Sequence, residues 1–321
     1  MPEIHALASV QDHVLLGHGE VVKSYRSLLL RALLRERSFR IGALIIGFVT
    51  AGALLAPAVA WLLGHGVTEQ FRDTALTEMG LPTGPTLEFP LGADGNGRDV
   101  LVRTLYGARV SLAIAIPATT LAMVIGTAIG LVSGFLAGRV DRIISQAVDV
   151  ALSFPFIVTA LSLLSLNRGA DGKPLVSPSL VVVLIITLFS WTYFARLTRG
   201  LVLVLRRSPL VEAAQTIGAS KTRIIVHEIL PNIAPVILVY WAVQLPTNII
   251  AEATLSFLGV GVQAPQPSWG NMIAEAQRSS LYQLQPWFLL GPGIALFLTV
   301  AGFNTLSAGL RNVLDPHRRS G

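Results

Sequence analysis

The chain is poor in groups that make or break covalent bonds. Its 321 residues include no Cys, which removes disulfides, thiolate zinc sites, iron–sulfur clusters and Cys nucleophiles. Six histidines are present (His5, His13, His18, His65, His227 and His317), and none forms HExxH or another ligand spacing. The sequence holds no GxxxxGK[ST] P-loop and no GxSxG elbow, so it has no Walker site and no hydrolase nucleophile of that kind. The glycine-rich stretch GADGNGRD at 92–99 follows no strand pattern and reads as a turn cluster on the outer side, not a phosphate cradle. What remains is polar rather than catalytic: the amides Gln244, Asn248 and Asn304 within long apolar stretches, and the carboxyl of Glu252 at the edge of one. Such groups line a polar path or hydrogen-bond neighbouring helices, and both readings stay open.

The elements that hold these residues are apolar and long. Only 13% of the chain is charged and 52% is hydrophobic, against about 25% charged in a soluble domain. The mean hydropathy is +0.64. A bilayer core needs about 20 apolar helical residues. Stretches free of Asp, Glu, Lys and Arg predict about six crossings, near 41–63, 111–137, 150–167, 176–195, 231–251 and 288–308, the third being the shortest. Six such windows disfavour a soluble protein with buried helices. A seventh charge-free stretch, 253–274, holds Pro265, Pro267, Gln263, Gln266 and Asn271. Its backbone is not expected to be satisfied in lipid, so it reads as a re-entrant or external loop. The predicted crossing interiors carry no charge, which disfavours a secondary ion-coupled carrier or channel.

Orientation follows from Lys and Arg. With six crossings both termini share one side, and that side carries 17 of the 24 basic residues against 7 on the other. The termini are therefore expected in the cytoplasm. The net charge of +6 is read as a topology signal, with no nucleic-acid partner. Residues 1–40 lack a signal-peptide pattern, and 24–38 read equally as a basic amphipathic helix on the inner leaflet, contacting lipid, or as a solvated helix packed on the protein. Residues 317–321 form a short cytoplasmic tail.

The longest cytoplasmic loop, 196–230, carries the clearest local pattern. Ser208 and Pro209 suit an N-cap and first helical position. A short helix is expected over 209–217, with Leu210, Ala214 and Ile217 on one face, stopped by Gly218. A second short helix is expected over 221–229, ending before Pro231. Small residues Ala213, Ala214, Gly218 and Ala219 would admit a groove of another protein; a helical hairpin with no partner fits the spacing equally well.

EAAQTIG at 212–218 followed by LPN at 230–232 resembles the "EAA" loop of ABC importer permeases. The segments LGADGNGRDVLVRTLYGARVSL (91–112), AEATLSFLGVGVQAPQPSWGNMIAEA (251–276) and FLTVAGFNTLSAGLRNVLDP (297–316) are similar to the C-type permeases of dipeptide/oligopeptide importers. Ala93 stands where that group usually has Thr, and Glu228 where it usually has His. The resemblance implies an all-α polytopic protein with the type I ABC importer permease (MetI-like) fold over 41–316, in a bacterial inner membrane. It implies that Glu212, Ala213, Ala214, Gly218, Leu230 and Pro231 dock on an ATPase. It also implies a B-type sister permease, two ATPase subunits that hold ATP and magnesium, and an extracytoplasmic solute-binding protein. The chain itself would be no enzyme and hold no cofactor or metal. Peptides are the expected cargo, with nickel, glutathione, haem or oligosaccharides as alternatives. Phe257, Gly259 and Trp269 in the outer loop would lie near the outer gate or the face that meets the binding protein, or else form a structural cap.

Overall fold

A computed structural model describes residues 31–167, 174–278, 281–283 and 285–314. The terminal segments 1–30 and 315–321, with the tail and the first seven residues of the expected amphipathic helix, lie outside the described residues. Among those residues the protein is helical, with two isolated β-bridges, Leu76 to Pro82 and Ala93 to Asp99.

Among the described residues the principal helices are, in order, α1 Arg37–Leu63, α2 Arg72–Ala75, α3 Val100–Leu136, α4 Gly138–Ser153, α5 Phe156–Leu166, α6 Pro178–Leu205, α7 Pro209–Thr216, α8 Lys221–Phe257, α9 Trp269–Arg278 and α10 Trp287–Leu314. Five of them, α1, α3, α6, α8 and α10, are long and apolar enough to cross a membrane. Their ends do not follow the charge-free windows. The Asp99 carboxylate accepts from the Val102 backbone N–H at 3.0 Å and starts α3 well before residue 111. A capped start lets the helix run through Arg103 and Arg109, because charge does not end a helix whose backbone bonds continue. At 37 residues, α3 is about 55 Å long, well beyond one bilayer core.

The expected crossing at 150–167 is not one straight helix. Its first residues belong to α4, and α5 leaves at 82° after a break at Phe154 and Pro155. A residue before proline is pushed out of the helical region, and Phe154 is extended, at φ −78° and ψ 128°. α5 alone has 11 residues, about 16 Å, so a sixth crossing exists only if the bent pair acts as one.

α3 and α6 share the most extensive helix contact. It depends on Gly126, Gly130 and Gly134, spaced one turn apart on α3. A Cβ on Gly126 would lie 2.3 Å from the Trp191 carbonyl oxygen, and one on Gly130 would lie 2.6 Å from that of Ala195. Small residues at four-residue spacing let two backbones approach where no hydrophobic force draws helices together in lipid. α1 packs on α10, and α8 lies against α3, α6 and α10.

Candidate functional site

The loop after α6 forms a small projecting knob. α7 starts after Ser208, which is extended at φ −79° and ψ 152°, with its hydroxyl making no cap bond. Its carbonyl accepts from the Val211 and Glu212 N–H groups at 3.1 Å each. The stop lies where the sequence puts it. Gly218 has φ +80°, its N–H donates to the Gln215 carbonyl at 2.9 Å, and the Ala219 N–H donates to that of Ala214 at 3.0 Å. This pair of bonds is the Schellman closure, which needs a left-handed residue and so favours glycine. A Cβ on Gly218 would meet nothing within 4 Å, so backbone conformation, not crowding, sets the requirement.

The buried face of α7 differs from the expected one. Val211 and Ala214 are buried against Ile224, Ile229, Val202 and Leu131. Leu210 is 46% exposed and Ile217 82% exposed. Ile224 and Ile229 come from the following helix and select Val211 over Leu210. Glu212, Ala213 and Gly218 are exposed, and Ala214 faces inward.

The second short helix does not end before Pro231. Residues 221–257 form one continuous helix, α8, with a π-helical stretch over Ile224–Ile229. Proline lacks an N–H and its ring crowds the carbonyl four residues back. A π turn just before it widens the helix, and the Leu230 N–H reaches the Ile225 carbonyl, five residues back. The chain therefore passes Pro231 without stopping. Leu230 is half-buried in the cluster that holds α7, and Pro231 is exposed. The knob and a membrane helix are one mechanical piece.

Higher along α8, one face carries Gln244, Asn248, Glu252 and Ser256 at four-residue intervals, so they stack along the helix. All four are buried. The Asn248 amide donates to the Thr119 hydroxyl on α3 at 2.8 Å and accepts from the Ser190 hydroxyl on α6 at 2.9 Å. Thr119 in turn donates to the Ala115 carbonyl at 2.7 Å. Gln244 lines a cavity of about 280 Å³ between the α4–α5 bend, α6 and α8. Asn304 does not join this group; it is exposed on α10.

Glu252 corrects the expectation of a charge-free interior. It is fully buried within α8, which runs on to Phe257. The Ser256 hydroxyl donates to its Oε1 at 2.8 Å, and the Val262 N–H donates to Ser256 at 3.0 Å. The carboxyl is thus joined through Ser256 to the loop that follows α8. It has no ion pair among the described residues.

That loop is folded onto the bundle. Gly259 turns the chain at φ +80° and Phe257 is half-buried. Trp269 is fully buried, and its ring N–H donates to the Thr104 carbonyl at 3.1 Å. Asn271 accepts from the Ser268 N–H at 3.0 Å and donates from its own N–H to the Ser268 hydroxyl at 3.3 Å, starting α9. In Trp269 the geometry favours the cap over an exposed docking residue.

A buried charge network beside this loop has no counterpart in the sequence reading. Arg98 donates to Asp94 at 2.6 Å and to Glu275 at 2.7 Å, and Arg103 lies 3.3 Å from Asp94 and 3.4 Å from Glu275. Buried charges are found paired in this way. The turn cluster at 92–99 is therefore a structural lock between α3 and α9. His65 donates from Nδ1 to Asp99 at 2.6 Å and stacks on Phe89, with no nucleophile joined to that pair among the described residues. Among the described residues there is no group of three metal-ligating side chains.

Comparison with known proteins gives the following likenesses. Residues 126–320 match the family described as "Binding-protein-dependent transport system inner membrane component". The chain is 39% identical over 278 residues to the glutathione transport system permease protein GsiD of Pectobacterium atrosepticum, covering 85% of this chain and 87% of that one. It is 38% identical over 237 residues to the dipeptide transport system permease protein DppC of Alkalihalophilus pseudofirmus, covering 74% and 75%. In fold it is similar to a chain of the MetNI methionine ABC transporter in an inward-facing conformation. The TM-score is 0.53 at 20% sequence identity, over 67% of this chain and 94% of that one.

Proposed function

The chain belongs to the family of binding-protein-dependent transport system inner membrane components, and from that membership we propose how it moves solute. It is the permease subunit of an ABC importer in the inner membrane, and ATP is hydrolysed by separate subunits. Its cargo, on this proposal, is a short peptide, glutathione included. The names of the relatives support that choice, as does a path that carries the amides of Gln244 and Asn248, since peptides present amides throughout.

The single observation that carries the mechanism is the rigid connection at the knob. α7 is closed by Gly218 and seated by Val211 and Ala214 on Ile224 and Ile229. Those residues belong to the same unbroken helix that bears Gln244, Asn248 and Glu252. The exposed surface of α7, with Leu210, Glu212, Ala213, Ile217 and Gly218, docks on an ATPase. When two ATPases close around ATP, the push on α7 passes along α8 to the path, a rigid-element transition between two states. Leu230 and Pro231 serve by carrying α8 past the π turn rather than by touching the ATPase. A sister permease supplies the other half of the path, and a solute-binding protein delivers cargo at the opposite face. The knob and both termini lie on the cytoplasmic side, in keeping with the 17-to-7 division of basic residues.

The test is ATP-dependent uptake into proteoliposomes holding this chain, a sister permease, the ATPases and the binding protein. Labelled dipeptide or glutathione should accumulate only with ATP and binding protein present. Accumulation without ATP would return the protein to the secondary carriers.

A further inference from the structure

The cavity at the α4–α5 bend differs from the rest of the buried polar face in one respect. Asn248 bonds to α3 and α6 and Ser256 to the loop after α8, while Glu252 accepts from Ser256 of its own helix. Gln244, one turn below Asn248, makes no side-chain hydrogen bond among the described residues, yet is only 8% exposed and lines the cavity. Its amide opens into the cavity, where it can offer two donors and an acceptor. Facing it across the cavity are Phe189 and Tyr193 of α6, with Phe156 set edge-on to Phe189 at 5.2 Å. A concave, largely apolar space with a few unengaged polar groups, here Gln244, Thr247 and the Tyr193 hydroxyl, is the form a small-ligand site takes.

We propose that this cavity takes one residue of the transported peptide, its peptide bond hydrogen-bonded by Gln244 and its side chain laid against Phe189 and Tyr193. A peptide bond presents a donor and an acceptor side by side, which matches a carboxamide; an aliphatic or ionic group does not. The permease thereby adds selectivity of its own to that of the binding protein. The cavity borders the break at Phe154 and Pro155, so movement of α5 relative to α4 would open or close it. This inference rests on the peptide-importer reading above.

The complete importer in proteoliposomes tests it with three labelled dipeptides: Ala-Ala, Ala-Phe and Ala-sarcosine, the last with an N-methylated peptide bond. Uptake ratios are read, because reduced assembly lowers all three together and leaves the ratios unchanged. Gln244→Leu should bring the Ala-Ala to Ala-sarcosine ratio towards unity, a change of about tenfold if a hydrogen bond to the substrate is lost. Tyr193→Ala should lower the Ala-Phe to Ala-Ala ratio about threefold or more. Either ratio remaining at its wild-type value overturns the proposal. If Gln244→Leu does not assemble, Tyr193→Ala decides alone, since Tyr193 is 45% exposed and its loss leaves the core intact. A wild-type importer that takes up none of the three would instead overturn the peptide reading itself.

Discussion

Asn248 on α8 donates to Thr119 on α3 at 2.8 Å, and the same amide accepts from Ser190 on α6 at 2.9 Å. One side chain therefore joins three crossing helices. Asn248→Leu removes both bonds and leaves Ser190 without its acceptor. Hydrogen bonds between membrane helices contribute about 0.6 kcal/mol each, at most about 1.7, so the loss should be about 1–2 kcal/mol. Thermal unfolding in detergent should show a modest fall in Tm with the protein still folded. An unchanged Tm would mean that the bonds contribute nothing to the bundle.

The glycine stripe on α3 predicts a larger effect. Gly130→Val places a Cβ where the Ala195 carbonyl oxygen lies 2.6 Å away, and neither backbone can yield without parting α3 from α6. Overpacking of this kind costs about 1–3 kcal/mol or more. Gly47→Val is the control, since nothing lies within 4 Å of that position. Folded yield after membrane extraction should fall for the first and hold for the second. Equal yields would contradict the close approach.

On α7, neighbouring apolar residues should behave in opposite ways. Val211→Asp buries a charge against Ile224 and Ile229 and should destabilise the permease. Ile217→Asp changes an 82%-exposed side chain, so it should leave the Tm unaltered while uptake falls because the ATPase contact is lost. Uptake at wild-type rate with Ile217→Asp would remove Ile217 from the contact. Destabilisation by it would place Ile217 in the core after all.

Much of this was legible in the sequence, and the remainder has definable causes. The knob was readable because its start and stop are local: Ser208 and Pro209 open it, and Gly218 closes it with a left-handed residue. Its buried face was not readable, because eight residues of α7 fit more than one stripe. Ile224 and Ile229, from another helix, make the choice. The five long helices follow from their apolar length, but their ends follow caps rather than charges, as Asp99 does for α3. Pro231 looked like a stop, and the π turn before it lets the helix continue. The lock around Arg98 was hidden because Glu275 lies 177 residues away. Of the path candidates, Gln244, Asn248 and Glu252 share a face because their spacing is helical. Asn304, on a different helix, had no such constraint.

The central claim is that α7 transmits the ATPase stroke as a closed, rigid knob, and Gly218 tests it most directly. The position needs φ near +80° and has open space around a Cβ. A β-branched residue there costs about 1–2 kcal/mol locally, whereas Asn tolerates the left-handed region. Uptake and ATP hydrolysis should be measured together in proteoliposomes of the complete importer carrying Gly218→Val or Gly218→Asn. The account predicts that Gly218→Val reaches the membrane folded with at most a modest fall in Tm, loses uptake and no longer couples hydrolysis to the binding protein, while Gly218→Asn keeps most uptake. Normal uptake by Gly218→Val would contradict it.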